Sequence, residues 1–250
     1  MNKSVSVYRY RHGLRDGIPI GLGYLSVSFG FGITAVGEGL RVLEALIISM
    51  TNLTSAGQVA GVTVLTAGGT AAIIISEMIL TQIIINLRYS LMGITLTQRL
   101  DQRCTTGHRM MMAFGLTDEI FALSASKPYP VGPSYFYGLM TVPYLGWSAG
   151  TLCGTLAGQI LPTSVRLALG IAIYAMFVAI VTPVARKERP VLLCSLFAIA
   201  LSCVFNFIPF LSKHISSGFI IIICTIVASV VFALVAPLPP EQEKEVDIDG

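Results

Sequence analysis

Six stretches of this chain run without a single charged side chain: Gly17 to Gly37, Ala45 to Ser76, Pro128 to Val165, Leu167 to Ala185, Pro190 to Ser212 and Ile215 to Pro240. A spanning helix needs about 20 mainly apolar residues, since the hydrocarbon core is about 30 Å thick. Several of the runs reach that length, and one buried helix in a water-soluble core would not call for so many. Composition agrees: 12% of residues are charged and 54% hydrophobic, against about 25% charged in soluble domains. An ordinary soluble enzyme, a disordered chain and a nucleic-acid-binding domain are all disfavoured. The expectation is an all-α, polytopic transmembrane bundle of seven or eight membrane segments.

The net charge of +3 conceals an asymmetry. Residues 241–250 hold five acids and one lysine, so the remainder carries 15 basic against 8 acidic residues. Basic residues in membrane proteins report orientation more than nucleic-acid binding. We therefore read residues 1–16 as a basic cytoplasmic tail, 17–236 as one transport domain retained in the membrane, and 237–250 as an acidic, solvated tail. The five cysteines show no CxxC pair and read as apolar filler, without a disulfide framework or metal site.

Eight segments emerge along the chain, near 17–37, 43–67, 70–97, 110–125, 134–159, 164–185, 190–210 and 216–236. If all eight crossed from a cytoplasmic N-terminus, the loop with Arg99, Arg103 and Arg109 would fall outside, against the positive-inside rule. Demoting 43–67 moves that loop to the cytoplasm, and demoting 110–125 as well turns Arg186, Lys187 and Arg189 inward. Those two segments also carry central polar groups, and broken backbone at membrane depth is tolerated only where it lines a cavity or is buried in protein. Four segments precede residue 126 and four follow it, with Pro19 and Pro143 similarly placed, so a two-fold internal repeat with interrupted helices is a further expectation.

Candidate chemistry sits in few places. Asn52, Thr54, Ser55 and Gln58 form a compact polar patch. A helix broken there would present N–H groups suited to a carboxylate and C=O groups suited to an ammonium or cation; an ordinary kink is the alternative. Glu77 and Arg88 share one helix face about 16 Å apart along the axis, with Asn86 pointing the other way. An intramembrane charge marks a pathway or a partner, unless each lies near an opposite surface. Thr117 or Asp118 caps a short helix, with acids favourable near its N-terminus, or Asp118 and Glu119 line a cavity and take up protons or bind a substrate ammonium. Gly146, Gly150, Gly154 and Gly158 make a ridge for close helix packing. Gly146-Trp147-Ser148-Ala149-Gly150 also matches the hydrolase GxSxG pattern, but inside an apolar helix rather than a strand–turn–helix, so no enzyme and no cofactor is expected.

Four stretches taken in order resemble the AzlC family of branched-chain amino-acid exporters: Gly17-Ile18-Pro19-Ile20 with Gly23-Tyr24; Ser55-Ala56-Gly57-Gln58; Asn86-Leu87-Arg88-Tyr89-Ser90-Leu91-Met92-Gly93; and Gly115-Leu116-Thr117-Asp118-Glu119-Ile120-Phe121-Ala122-Leu123. Leu169 to Phe177 is a weaker match. The resemblance implies secondary, proton-driven efflux of small apolar amino acids such as leucine, isoleucine, valine and methionine across the inner (plasma) membrane. It also implies a small membrane partner of the AzlD type. Many members carry histidine where Tyr89 stands here; if that histidine relays protons in the family, it cannot do so in this chain, which leaves the coupling ion open. On this reading Asn52, Thr54, Ser55, Gln58, Asn86 and Arg88 bind substrate, while Glu77, Asp118 and Glu119 couple protons or gate. A channel, an assembly subunit whose partner carries the transport, and a membrane-embedded enzyme are the rival classes.

Overall fold

The computed structural model describes residues 8–162, 164–165, 178, 181–183, 185–186, 188–208, 215 and 217–236. They form α1 (Tyr10–Gly37), α2 (Val42–Thr51), α3 (Ser55–Thr66), α4 (Ala71–Arg99), α5 (Thr106–Phe114), α6 (Asp118–Ala125), α7 (Pro133–Ile160), α8 (Arg189–Phe207) and α9 (Ser217–Val235). Among the described residues, α1, α4, α8 and most of α9 are long and apolar enough to cross a bilayer. The chain divides into two compact units, residues 1–178 and 179–250. The acidic tail and the Leu169–Phe177 stretch lie outside the described residues. The first helix starts at Tyr10, so the latter part of the expected basic tail is helical.

The spine of the first unit is the α1–α7 pair. A Cβ on Gly154 would lie 2.1 Å from the Phe29 carbonyl oxygen, one on Gly150 would lie 2.3 Å from that of Leu25, and one on Gly146 would lie 2.3 Å from that of Gly21. Only glycine lets two helix backbones approach so closely, and this close packing drives helix association in lipid. The ridge expected from the four-residue spacing is therefore an α1 contact, although at Gly158 the spacing is looser. Ascending α1 positions meet ascending α7 positions, so the two helices run parallel. Pro19 and Pro143 both lie inside these helices.

Between them the chain makes two helix–break–helix hairpins from opposite ends. In hairpin one (α2–α3), Ala45 packs with Phe31 and Ala35 near the C-terminal end of α1. Leu53, in the break, reaches down to Tyr24 and Trp147, and Val62 is back against Phe31 and Ala35. Helix α4 then runs antiparallel to α3, since Gly57 faces Asn86 and Gly61 faces Met78. In hairpin two (α5–α6), entry and exit are stitched together at the other end: the Asp101 N–H donates to the Val131 carbonyl at 3.1 Å, and the Val131 N–H to Arg99 at 2.8 Å. The return strand is tied there as well, with Lys127 Nζ 2.7 Å from Asp16 Oδ2.

The expected seven or eight crossings are not confirmed among the described residues. The 43–67 and 110–125 segments each enter and leave at one end, because three-residue breaks at Asn52–Thr54 and Gly115–Thr117 reverse them. The opposed pair lies wholly within residues 10–125, so the expected two-fold repeat about residue 126 is not shown. Arg9, Arg11, Arg15, Arg99, Arg103, Arg109 and Lys127 all fall at the end where hairpin two enters. Burial there, with the Asp101 carboxylate alongside, pushes the Cys104 thiol up to about 11.

The second unit is described on its own. Helices α8 and α9 pack through Phe197 and Phe232, whose ring centroids are 5.9 Å apart, and flank a groove of about 590 Å³ lined by small and apolar residues.

Candidate functional site: the two hairpin tips

Hairpin one ends in a web of neutral amides. Its break is extended backbone, with φ −137° at Asn52 and −109° at Thr54. Thr54 Oγ1 donates to Asn52 Oδ1 at 2.7 Å, and Gln58 Nε2 donates to the Asn52 carbonyl. From α4, Gln82 Nε2 donates to the Gly57 carbonyl at 2.7 Å, while Gln82 Oε1 accepts from Asn86 Nδ2 at 3.0 Å and Asn52 Nδ2 at 3.5 Å. Gly57 admits this packing, since a Cβ there would lie 2.7 Å from Gln82 Oε1. Ser55 is the half-buried first residue of α3.

Hairpin two ends in charge. Thr117 caps α6, its Oγ1 accepting from the Ile120 N–H at 3.4 Å, which places both acids of the first turn at the tip. Asp118 Oδ2 is 2.7 Å from Arg88 Nη2. Glu119 accepts a short hydrogen bond from the Tyr24 hydroxyl. Tyr89, beside Arg88, takes a hydrogen bond from the guanidinium at 3.3 Å and lies under it at 5.0 Å from the ring centroid.

The tips meet at one level of the spine. Tyr24 links them, holding Glu119 through its hydroxyl while its ring packs edge-on to Trp147 at 5.2 Å, and both rings cover Leu53. Tyr144, one turn before Trp147, donates to the Met50 carbonyl at the end of α2. Sequence reasoning placed Asn52, Thr54, Gln58, Asn86, Arg88, Asp118 and Glu119, and the structure brings them to this level. As expected, Asn86 and Arg88 leave α4 on different sides, toward α3 and α6. Glu77 is separate: it is buried at 2% exposure, three turns from Arg88, beside the α3 end opposite the tip. Sequence reasoning missed Gln82, the hub of the amide web, although it lies four residues before Asn86 on the same face. It also missed Tyr24 and Trp147 as the bridge. Ser148 of the GxSxG match donates to the Tyr144 carbonyl within α7.

Residues 19–161, more than half of the chain, match the family described as AzlC protein. The chain belongs to the AzlC family. The matched range opens at Pro19 and closes at the end of α7, so the AzlC region contains both hairpins and the spine. An uncharacterised membrane protein of Archaeoglobus fulgidus is 33% identical over 176 residues, 70% of this chain and 75% of that protein. The inner membrane protein YgaZ of Escherichia coli is 29% identical over 177 residues, 68% of this chain and 71% of that protein. No solved structure matches the chain. This AzlC protein is thus a multi-pass membrane protein.

Proposed function

We propose that this AzlC protein is a secondary exporter of branched-chain and other small apolar amino acids. One observation carries the reading: two hairpins entering from opposite ends set a neutral amide web and a charged cluster at one level, midway along the spine. A zwitterion needs both kinds of surroundings, and breaks at mid-membrane are where secondary transporters place substrate. Membership in a family linked to branched-chain amino-acid export supports the substrate class. Arg88 offers a bidentate donor for a carboxylate, in exchange for Asp118. The apolar walls Leu53, Trp147 and Tyr24 favour an aliphatic side chain, at about 1–3 kcal/mol per methylene, so related side chains are accepted together.

Gating follows from the same contacts. Carboxylate capture by Arg88 releases Asp118, and loss of the Tyr24 bond releases Glu119, giving two acids that take up protons as the tip of hairpin two moves. Tyr89 gives Arg88 a hydrogen-bond partner where other members have histidine. Glu77, unlike Asp118 and Glu119, is a buried carboxylate of α4. The clustering of basic residues at the N-terminal end supports a cytoplasmic N-terminus in the inner membrane. The exposed row Ile79, Ile83, Leu87, Leu91 and Ile94 along α4 supports a small AzlD-type partner packing there.

The test is counterflow of labelled leucine into vesicles preloaded with leucine, isoleucine, valine or alanine, at two pH values. Saturable exchange favouring branched side chains is expected. Flux without counterflow means a channel, and exchange unchanged by Arg88→Ala removes Arg88 from the mechanism.

A further inference from the structure

The amide web at the tip of hairpin one is chemically lopsided. Asn52, Gln58, Gln82 and Asn86 each turn their amide nitrogen onto a protein oxygen. What remains are acceptors: Gln58 Oε1 and Asn86 Oδ1 are buried and have no hydrogen-bond partner. Gln58 is 1% exposed. Buried polar atoms are nearly always paired, so unpaired ones call for a missing partner. Here that partner must donate.

A primary ammonium brings three donors and no acceptor, which suits these two amide oxygens. Charge supports this. Helix α2 ends at Thr51, so its last carbonyls face the break and suit a cation, while the N–H end of α3 at Ser55 faces the same break from the other side. The nearby carboxylates are engaged elsewhere, Asp118 by Arg88 and Glu119 by Tyr24. We infer that Gln58 and Asn86 form an ammonium subsite built of neutral oxygens, holding the α-amino group of the substrate. The inference rests on the amino-acid reading above and makes the amino group, not the acid group, the part recognised by hairpin one.

The experiment is equilibrium dialysis of the purified full-length protein with labelled leucine, 3-methylbutylamine (leucine without its carboxylate) and 4-methylpentanoate (leucine without its ammonium), in sodium chloride and in choline chloride. The amine is expected to bind saturably and the acid far more weakly. Gln58→Leu should weaken leucine and amine binding by about tenfold, while Gln58→Glu, which gives up the bond to the Asn52 carbonyl but keeps the acceptor and adds charge, should preserve or tighten amine binding even if the leucine variant fails to fold. Leucine binding with no amine binding, or amine binding indifferent to both Gln58 variants, overturns the subsite and leaves the transport reading standing. Sodium displacing the amine without leucine affecting it assigns the oxygens to a metal cation and overturns the subsite too. Amine binding that follows Gln58 without any leucine binding keeps the subsite and overturns the amino-acid reading. Binding of neither ligand overturns both.

Discussion

The two hairpins are alike in plan and unlike in chemistry. Each is a short helix, three residues of broken backbone and a second short helix, entering and leaving at one end of the spine. Hairpin one closes its tip with neutral amides and leaves acceptors over. Hairpin two closes its tip with two acids, each already held by a partner on another helix, Arg88 of α4 or Tyr24 of α1. Neutral hydrogen bonds have short reach and fixed geometry, whereas ion pairs act over longer distances and exchange one carboxylate for another. The difference assigns recognition of form to hairpin one and response to charge to hairpin two.

The comparison breaks most sharply at Arg88. Arg88→Ala should abolish most leucine counterflow and leave Asp118 without its cation. A double-mutant cycle with Asp118→Ala, read by thermal unfolding in detergent, should give a coupling energy of about 1–3 kcal/mol; zero coupling would mean that the pair does not hold hairpin two. Next comes Gly57→Leu on the neutral side. Its side chain would displace Gln82 from α3, and we expect about 1–3 kcal/mol of lost stability together with lost substrate binding. Stability equal to wild type would show that α3 does not rest on α4.

Tyr24→Phe probes the bridge. Removing the hydroxyl from Glu119 should cost about 1 kcal/mol in unfolding measurements and shift the pH profile of exchange, because Glu119 then lacks its donor; an unchanged profile would take Glu119 out of the coupling. The smallest expected effect is at Thr54→Val, which removes one bond to Asn52 within the break. About 0.5 kcal/mol is expected, with counterflow reduced less than in Gly57→Leu.

Much of this plan was readable from the residues. Loop charge asked for two segments that do not cross, and the polar patches at 52–58 and 117–119 marked which two; the breaks fall at 52–54, inside the first patch, and at 115–117, leading into the second. The α1–α7 contact was half visible, as the glycine ridge of α7, but the partner helix was not, because spacing along one helix does not name its neighbour. The start of α1 at Tyr10, within the basic tail, was not readable, since charge alone does not stop a helix. Gln82 was overlooked because a lone glutamine in an apolar helix gains meaning only from Gly57 opposite it. The bridge of Tyr24 and Trp147 joins residues far apart in sequence, and only tertiary packing brings them together.

Trp147 is the single tryptophan in the chain, and it sits at 2% exposure against Leu53 in the break of hairpin one. Its indole emission therefore reports the surroundings of that tip with no label attached. Withdrawal of Leu53 would admit water to the ring and move the emission to the red, and iodide added on one side of a sealed vesicle would quench it only while the tip is open to that side. The protein thus carries its own optical gauge of which side it faces.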